Sequence, residues 1–176
     1  MNSTDAPTGA SPAGSSSADP RVSAVLMTCT YIAGGVALAV SFASGGSATT
    51  AAYWASAGCV GAVGLLSFVR HSIFHRSDAA RMGWDYGRRN DFQIEVGLAN
   101  LSWGIVGILA WVLDWGAAAA GAITLSFGIY MLSASALHLS EVARPAEGQR
   151  PRVGPAIAST AFAIALLAAG AAAVSA

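Results

Sequence analysis

The chain reads as an all-α, polytopic membrane protein, a bundle of five transmembrane helices with its N-terminus in and its C-terminus out. Three observations carry that reading. The composition is 55% hydrophobic and 10% charged, where an average soluble domain has about 25% charged residues, and the mean hydropathy is +0.57. Five apolar stretches, at about 22–43, 49–70, 93–113, 116–138 and 153–175, reach the roughly 20 residues that a helix needs to cross about 30 Å of hydrocarbon. Finally, all nine cations are arginines, at 21, 70, 76, 81, 88, 89, 144, 150 and 152, and the segments at 44–48 and Asp114-Trp115 carry none. The positive-inside rule then places the arginine side in the cytoplasm.

Residues 1–20 are rich in Ser, Ala, Pro, Gly and Thr. They cannot bury enough apolar surface to offset chain entropy, so a disordered cytoplasmic tail is expected before a transmembrane domain over 21–176. A cleaved signal peptide fits poorly, because Arg21 is the first cation and the apolar run behind it is long enough to span. Cys29 and Cys59 lie inside the first two spans without CxxC spacing and read as small apolar fillers. In the second span Gly58, Gly61 and Gly64 recur at steps of three among Ala51, Ala55 and Ala62. With no hydrophobic force between helices in lipid, such small residues allow the close backbone approach that supplies packing energy. Tyr53, Trp54, Trp111 and Trp115 fall near the outer ends of spans and read as interfacial anchors. The segment Ser77 to Trp84 reads as a short helix, N-capped by Ser77, C-capped by Gly83, and held at the lipid surface by Trp84 and the arginines.

The third span is the most patterned. Gln93, Gly97, Asn100 and Gly104, continued by Gly107 or Trp111, form one helical stripe that should face protein. Asn100, about two turns inside, then needs a hydrogen-bond partner on a neighbouring helix, on a polar group or on water. Glu95 points to another face and sits in the first turn, where the helix dipole favours a carboxylate. Asn90 and Gln93 have capping-box spacing. The fifth span is mostly alanine from 156 to 173, a residue that contributes little hydrophobicity on its own, so this span is expected to insert only alongside its neighbours.

The order Gly83-Trp84, Phe92-Gln93-Ile94-Glu95-Val96-Gly97-Leu98-Ala99-Asn100, then Gly104-Ile105-Val106-Gly107-Ile108-Leu109 resembles the GW…FQ-x-EVG-x-AN signature of a family of small, uncharacterised prokaryotic integral membrane proteins. The resemblance covers roughly residues 50–140. It implies the fold and an importance for Gln93, Glu95 and Asn100, and it brings no activity with it. The stretch 85–91 departs from the family in being longer and basic.

Topology gathers His71, His75, Glu95, His138 and Glu141 on the arginine side. Three imidazoles and two carboxylates are the ligand types of a zinc, iron or manganese site, or with two histidines of a haem. Dipole-favoured histidines at helix C-termini explain the same placement without a ligand, and the order His138-x-x-Glu141 is the reverse of the di-iron bundle pattern. No Gly-x-Ser-x-Gly, phosphate-cradling glycine loop, His-Glu-x-x-His or cysteine–histidine pair is present, so an enzyme is not the default reading. Formal net charge is zero and there is no basic arm, which excludes nucleic acid as the expected partner. The partners expected are the lipid bilayer and a second copy or another membrane protein. The preferred role is a structural or assembly subunit that packs through its glycine and alanine faces. A metal-, haem- or quinone-binding redox protein and a small carrier or channel are the alternatives, with the cofactor itself unknown.

Overall fold

The computed structural model describes residues 18–84, 89–145 and 151–176. Most of the expected tail lies outside the described residues. The described chain forms six helices: α1 (Pro20–Ala43), α2 (Ala48–Ile73), α3 (His75–Met82), α4 (Asp91–Val112), α5 (Ala117–Ala143) and α6 (Val153–Val174). All except α3 are long and apolar enough to cross a membrane. The first helix starts earlier than expected, because Asp19 caps it by accepting the Arg21 N–H and proline suits the first helical position. At the other extreme α5 continues to Ala143, so His138 and Glu141 are helical residues.

Helix α2 is the centre of the bundle. Half of its apolar window is buried, against at most 28% for the other spans, and it packs on α1, α4, α5 and α6. Its contact with α4 is nearly backbone to backbone. A methyl group added at Gly64 would lie 2.6 Å from the Asn100 carbonyl oxygen and 2.8 Å from Gly104 Cα. One added at Gly107 would lie 2.7 Å from the Ser56 carbonyl oxygen. Two hydroxyls lock the same pair, Ser56 donating to Gly107 O at 2.9 Å and Ser72 to Ile94 O at 3.0 Å. Helices α5 and α6 form the other tight pair, where Gly121 and Gly170 stand against the facing backbone. Between the pairs lies a core of Val60, Val63, Phe127 and Leu166, with the Trp103 and Tyr130 rings packed at a tilt against Phe127.

Helix α2 is not α-helical throughout. It widens to the i→i+5 hydrogen-bond pattern over Trp54–Ala62 and again over Val69–Ile73, where Phe74 N–H bonds to Val69 O at 2.9 Å. Such π-turns concentrate at functional sites, and the second one carries Arg70 and His71. Phe74 then breaks the helix with φ −101° and ψ 32°, and the chain turns into α3. Gly83 ends α3 in the left-handed conformation, φ 74°, as a C-cap glycine should. At the opposite end of the bundle Tyr53 ties α2 to the next turn. Its hydroxyl donates to Asp114 and accepts the Gly116 N–H, closing the α4–α5 turn in which Asp114 has φ 52°. Trp54, Trp111 and Trp115 are exposed.

Candidate functional site

The polar centre of the molecule is Asp78, on α3, with 1% of its surface exposed. Its Oδ1 accepts from Ser23 Oγ at 2.5 Å and from Arg81 Nη2 at 2.8 Å and Nε at 3.2 Å. Its Oδ2 accepts from His71 Nδ1 at 2.9 Å and Gln93 Nε2 at 3.0 Å. Four helices thus converge on one carboxylate. Ser77, the neighbouring residue, is buried too: its hydroxyl accepts the Ser23 N–H at 3.0 Å and donates to Asp19 O at 2.5 Å. That satisfies an amide in the first turn of α1 that has no partner within its own helix. Far from lying loosely on lipid, α3 is bolted to α1, α2 and α4, and its N-cap is Phe74 rather than Ser77.

The hydrogen bonds assign the protons. A guanidinium has donors only, so the 2.8 Å contact between Arg70 Nη2 and His71 Nε2 requires Nε2 to accept. His71 is therefore neutral, with its proton on Nδ1 donated to Asp78. Burial alone would raise the Asp78 carboxyl, but the His71 hydrogen bond, the Arg70 charge and the Ser23 hydroxyl outweigh it and hold the group well below the usual carboxylate range. Asp78 is a carboxylate whose two oxygens are both fully committed. One consequence falls on Arg70, which makes no ion pair within 4 Å among the described residues and whose buried Nε has no partner there.

Beneath this network lies a cavity of about 1050 Å³, at the upper end of the roughly 300–1,000 Å³ of ligand pockets. Helix α3 roofs it, and α1, α2, α5 and α6 form its walls; α4 contributes nothing to the lining. Its deep part is mainly apolar, with Met27, Val63, Met131 and Phe162 among the hydroxyls of Thr30, Ser67, Ser135 and Ser159, while its polar end carries Arg70, Arg81, Arg144 and Arg152 against Asp78 and Glu141. It reaches the surface on its flank at Tyr31 and Gly35 and at its end at His138 and Arg144, all of which are exposed. Arg152 straps the roof to α6 by donating to the Arg81 carbonyl and to Met82 Sδ. Burial, then the nearby Arg81 charge, lower the affinity of Arg152 for its proton, without approaching the point where an arginine would lose it.

The residues singled out from sequence distribute as follows. Gln93, Gly97, Asn100 and Gly104 are buried on one stripe of α4. The Asn90 side chain accepts the Gln93 N–H at 3.1 Å, while the Gln93 amide reaches Asp78 instead of closing the box. Asn100 Nδ2 donates to Val96 O at 2.8 Å and to Tyr130 Oη on α5 at 3.2 Å. Trp84 is 41% exposed beside the cavity. The metal candidates each have other partners or face outward. His71 has both nitrogens engaged, His75 bonds to the Ser72 carbonyl at 3.0 Å, and His138 stands 3.5 Å from Glu141 at the surface. Glu95 is exposed and makes no ion pair among the described residues. Among the described residues no group of three or more His, Cys, Asp or Glu side chains is disposed to hold a metal ion. The expected approach of Glu95 to His71, His138 or Arg70 is replaced by Asp78, from a helix that had the sequence pattern of a surface element.

Fold and site together define a multi-pass helical membrane protein with a cavity between its helices, capped by a buried polar network. Residues 21–175 match the family of unknown function DUF6790, and the chain belongs to that family. Neither curated proteins nor solved structures gave a match.

Proposed function

We propose that this protein binds a membrane amphiphile in the cavity under α3, the alkyl part in the apolar depth and the polar end beneath the Asp78 network. The observation that carries this reading is the cavity itself. It is large, mainly apolar within, polar at one end, and open on its flank at Tyr31 and Gly35, where a chain could enter from the bilayer. With the arginine side in the cytoplasm, the polar end sits at the inner leaflet.

The assembly role preferred from sequence loses its main support. The glycines that suggested a partner, Gly61, Gly64, Gly104 and Gly107, are consumed between α2 and α4 of the same chain. What the bundle presents outward is large apolar side chains such as Ile32, Val36, Leu109 and Ile164, suited to lipid. A carrier would call for ionisable groups along a path through the spans, and α4, which holds Asn100, does not border the cavity.

The test is to plug the cavity. At Gly35 the position a Cβ would take is open, with nothing within 4 Å, and Ala134 lines the opposite wall. In native mass spectrometry from a maltoside detergent, the wild-type chain should carry about one copurifying amphiphile, and Gly35→Phe combined with Ala134→Phe should lose it while melting within a few degrees of wild type. Equal occupancy of both proteins, or none in either, would refute the reading.

A further inference from the structure

We propose that the ligand of this cavity is an anion, a long-chain phosphate or carboxylate, and that Arg70 holds its charged group. The proposal rests on the amphiphile reading above and goes further by fixing the chemistry of the polar end. A cation within a membrane-spanning helix normally has an anionic or carbonyl partner and marks a functional position. Arg70 belongs to such a helix and lines the cavity, yet the carboxylate nearest in the network is already saturated. Both oxygens of Asp78 are occupied by Ser23, Arg81, His71 and Gln93. The side-chain bond that Arg70 makes among the described residues runs to a neutral imidazole, at 2.8 Å, and its Nε is buried without a partner there.

Counting charge leads to the same place. Asp78 neutralises one guanidinium, that of Arg81, with which it is in direct contact at 2.8 Å. Among the described residues Arg70 is then one positive charge in excess at the inner end of the polar region, and Arg144 and Arg152 add two more toward the mouth against Glu141. An uncompensated cation in a low-dielectric wall attracts anions strongly. Guanidinium is also the group best matched to a phosphate or carboxylate, through paired N–H donors. In this arrangement His71 is a positioning residue: by accepting from Nη2 while donating to Asp78, it fixes the guanidinium plane at the cavity wall. The π-turn over Val69–Ile73 sets both side chains on the same side of the helix end. The apolar depth below, with Val63, Met131 and Phe162, takes the alkyl chain and excludes a small hydrophilic anion as the preferred occupant.

The experiment is a thermal-shift titration of the delipidated full chain in dodecyl maltoside with four probes: dodecyl phosphate, laurate, dodecanol and inorganic phosphate. The two anionic amphiphiles should bind at least about tenfold more tightly than dodecanol, the scale of one charge-assisted hydrogen bond, and inorganic phosphate should give no saturable shift. Arg70→Gln should remove the preference for the anions and leave dodecanol binding as it was. Arg70→Lys, which keeps the charge and loses the fork, should retain part of the preference, a result that a merely structural arginine would not produce. Arg89→Gln, at an exposed pair with Asp91 outside the cavity, should behave as wild type. Equal binding of dodecanol and the anions to wild type would overturn the anion assignment while leaving the cavity reading intact. Saturable binding of inorganic phosphate alone would replace the lipid anion by a free one and overturn the proposal as stated. Absence of binding by any probe would overturn both.

Discussion

Asp78→Asn isolates the charge at the centre of the bundle without changing its shape. The carboxylate accepts five hydrogen bonds, from Ser23, two nitrogens of Arg81, His71 and Gln93. An asparagine amide has one oxygen and one NH2, so whichever way it turns, its NH2 meets donors: Ser23 and Arg81 on one side, or His71 and Gln93 on the other. Two or more donors lose their acceptor, and Arg81, only 14% exposed, loses its counter-charge. Breaking one side of a buried ion pair costs about 3–5 kcal/mol, and charge-assisted hydrogen bonds of about 1.5–3 kcal/mol each reach the same range. The expected loss is therefore about 3–5 kcal/mol, read as unfolding free energy by steric trapping in bicelles or as a large drop in melting midpoint in detergent. The control is Asp91→Asn, whose partner Arg89 is 2.6 Å away on the surface, with an expected cost of about 0–1 kcal/mol.

The same residue sets a pH dependence. Its folded pKa lies below its unfolded one, near 3.9, so its contribution is fully present above about pH 4 and is lost as pH falls toward the folded value. Wild type should lose stability below about pH 4 more steeply than Asp78→Asn, which has no proton to take up there. A variant within about 1 kcal/mol of wild type at pH 7, or with an unchanged acid limb, would refute the view that a charged Asp78 holds α3 to the bundle.

Gly64→Ala places a methyl 2.6 Å from the Asn100 carbonyl oxygen and 2.8 Å from Gly104 Cα, atoms that cannot move without parting α2 from α4. It should cost at least about 1–3 kcal/mol, whereas Gly35→Ala, with open space at its Cβ, should be neutral or stabilising in the same melt. Asn100→Leu removes the α4–α5 bond to Tyr130 and should cost about 0.6–2 kcal/mol, against almost nothing for exposed Ser102→Ala, which bonds only to its own helix at Leu98; equal effects would deny the interhelical bond its role. Five spans put the two ends on opposite sides, and the arginine asymmetry predicts alkaline phosphatase fused after Ala176 to be active and a fluorescent protein there to be dark. The reverse pattern would overturn the orientation.

Patterns repeated over several turns were readable before the structure. The α4 stripe from Gln93 to Gly104 and the glycine steps of α2 are periodic, and a period identifies a face whatever it packs against. Asp78 and Ser77 carry no such signal. They sit in an eight-residue helix with two arginines, where charge suggests a solvated surface, and only the fold back onto Ser23 and His71 buries them. The histidines were legible only as a level. Shared membrane depth does not make residues ligands of one site: His71 is engaged by Asp78 and Arg70, His75 turns back to the Ser72 carbonyl of α2, and His138 lies beside Glu141 at the surface.

The distribution of small residues also explains why a cavity forms where it does. Glycine brings α2 against α4 and α5 against α6 at backbone distance, leaving α1 to close the bundle with few contacts to α6. Where α1 faces that gap it offers Gly35 and Gly34, and beyond them Met27 and Tyr31. Gly34 is filled by the Phe162 ring, 3.0 Å from where its Cβ would be, while Gly35 meets nothing. The gap narrows toward the non-arginine end, where Ser41 of α1 donates to the Ala51 carbonyl at 2.8 Å, and widens toward the arginine end, where α1 reaches out to α3 through Ser23. A bundle drawn tight at one end by hydroxyl and glycine contacts, and held open at the other by a roof helix fastened through Asp78, has its cavity at the arginine side. Loosening the roof should therefore change ligand affinity together with stability: Ser23→Ala, which takes one donor from Asp78 and one acceptor from Arg81 Nε, should lower the melting midpoint and weaken dodecyl phosphate binding in parallel. A loss of stability with affinity unchanged would separate the roof from the site.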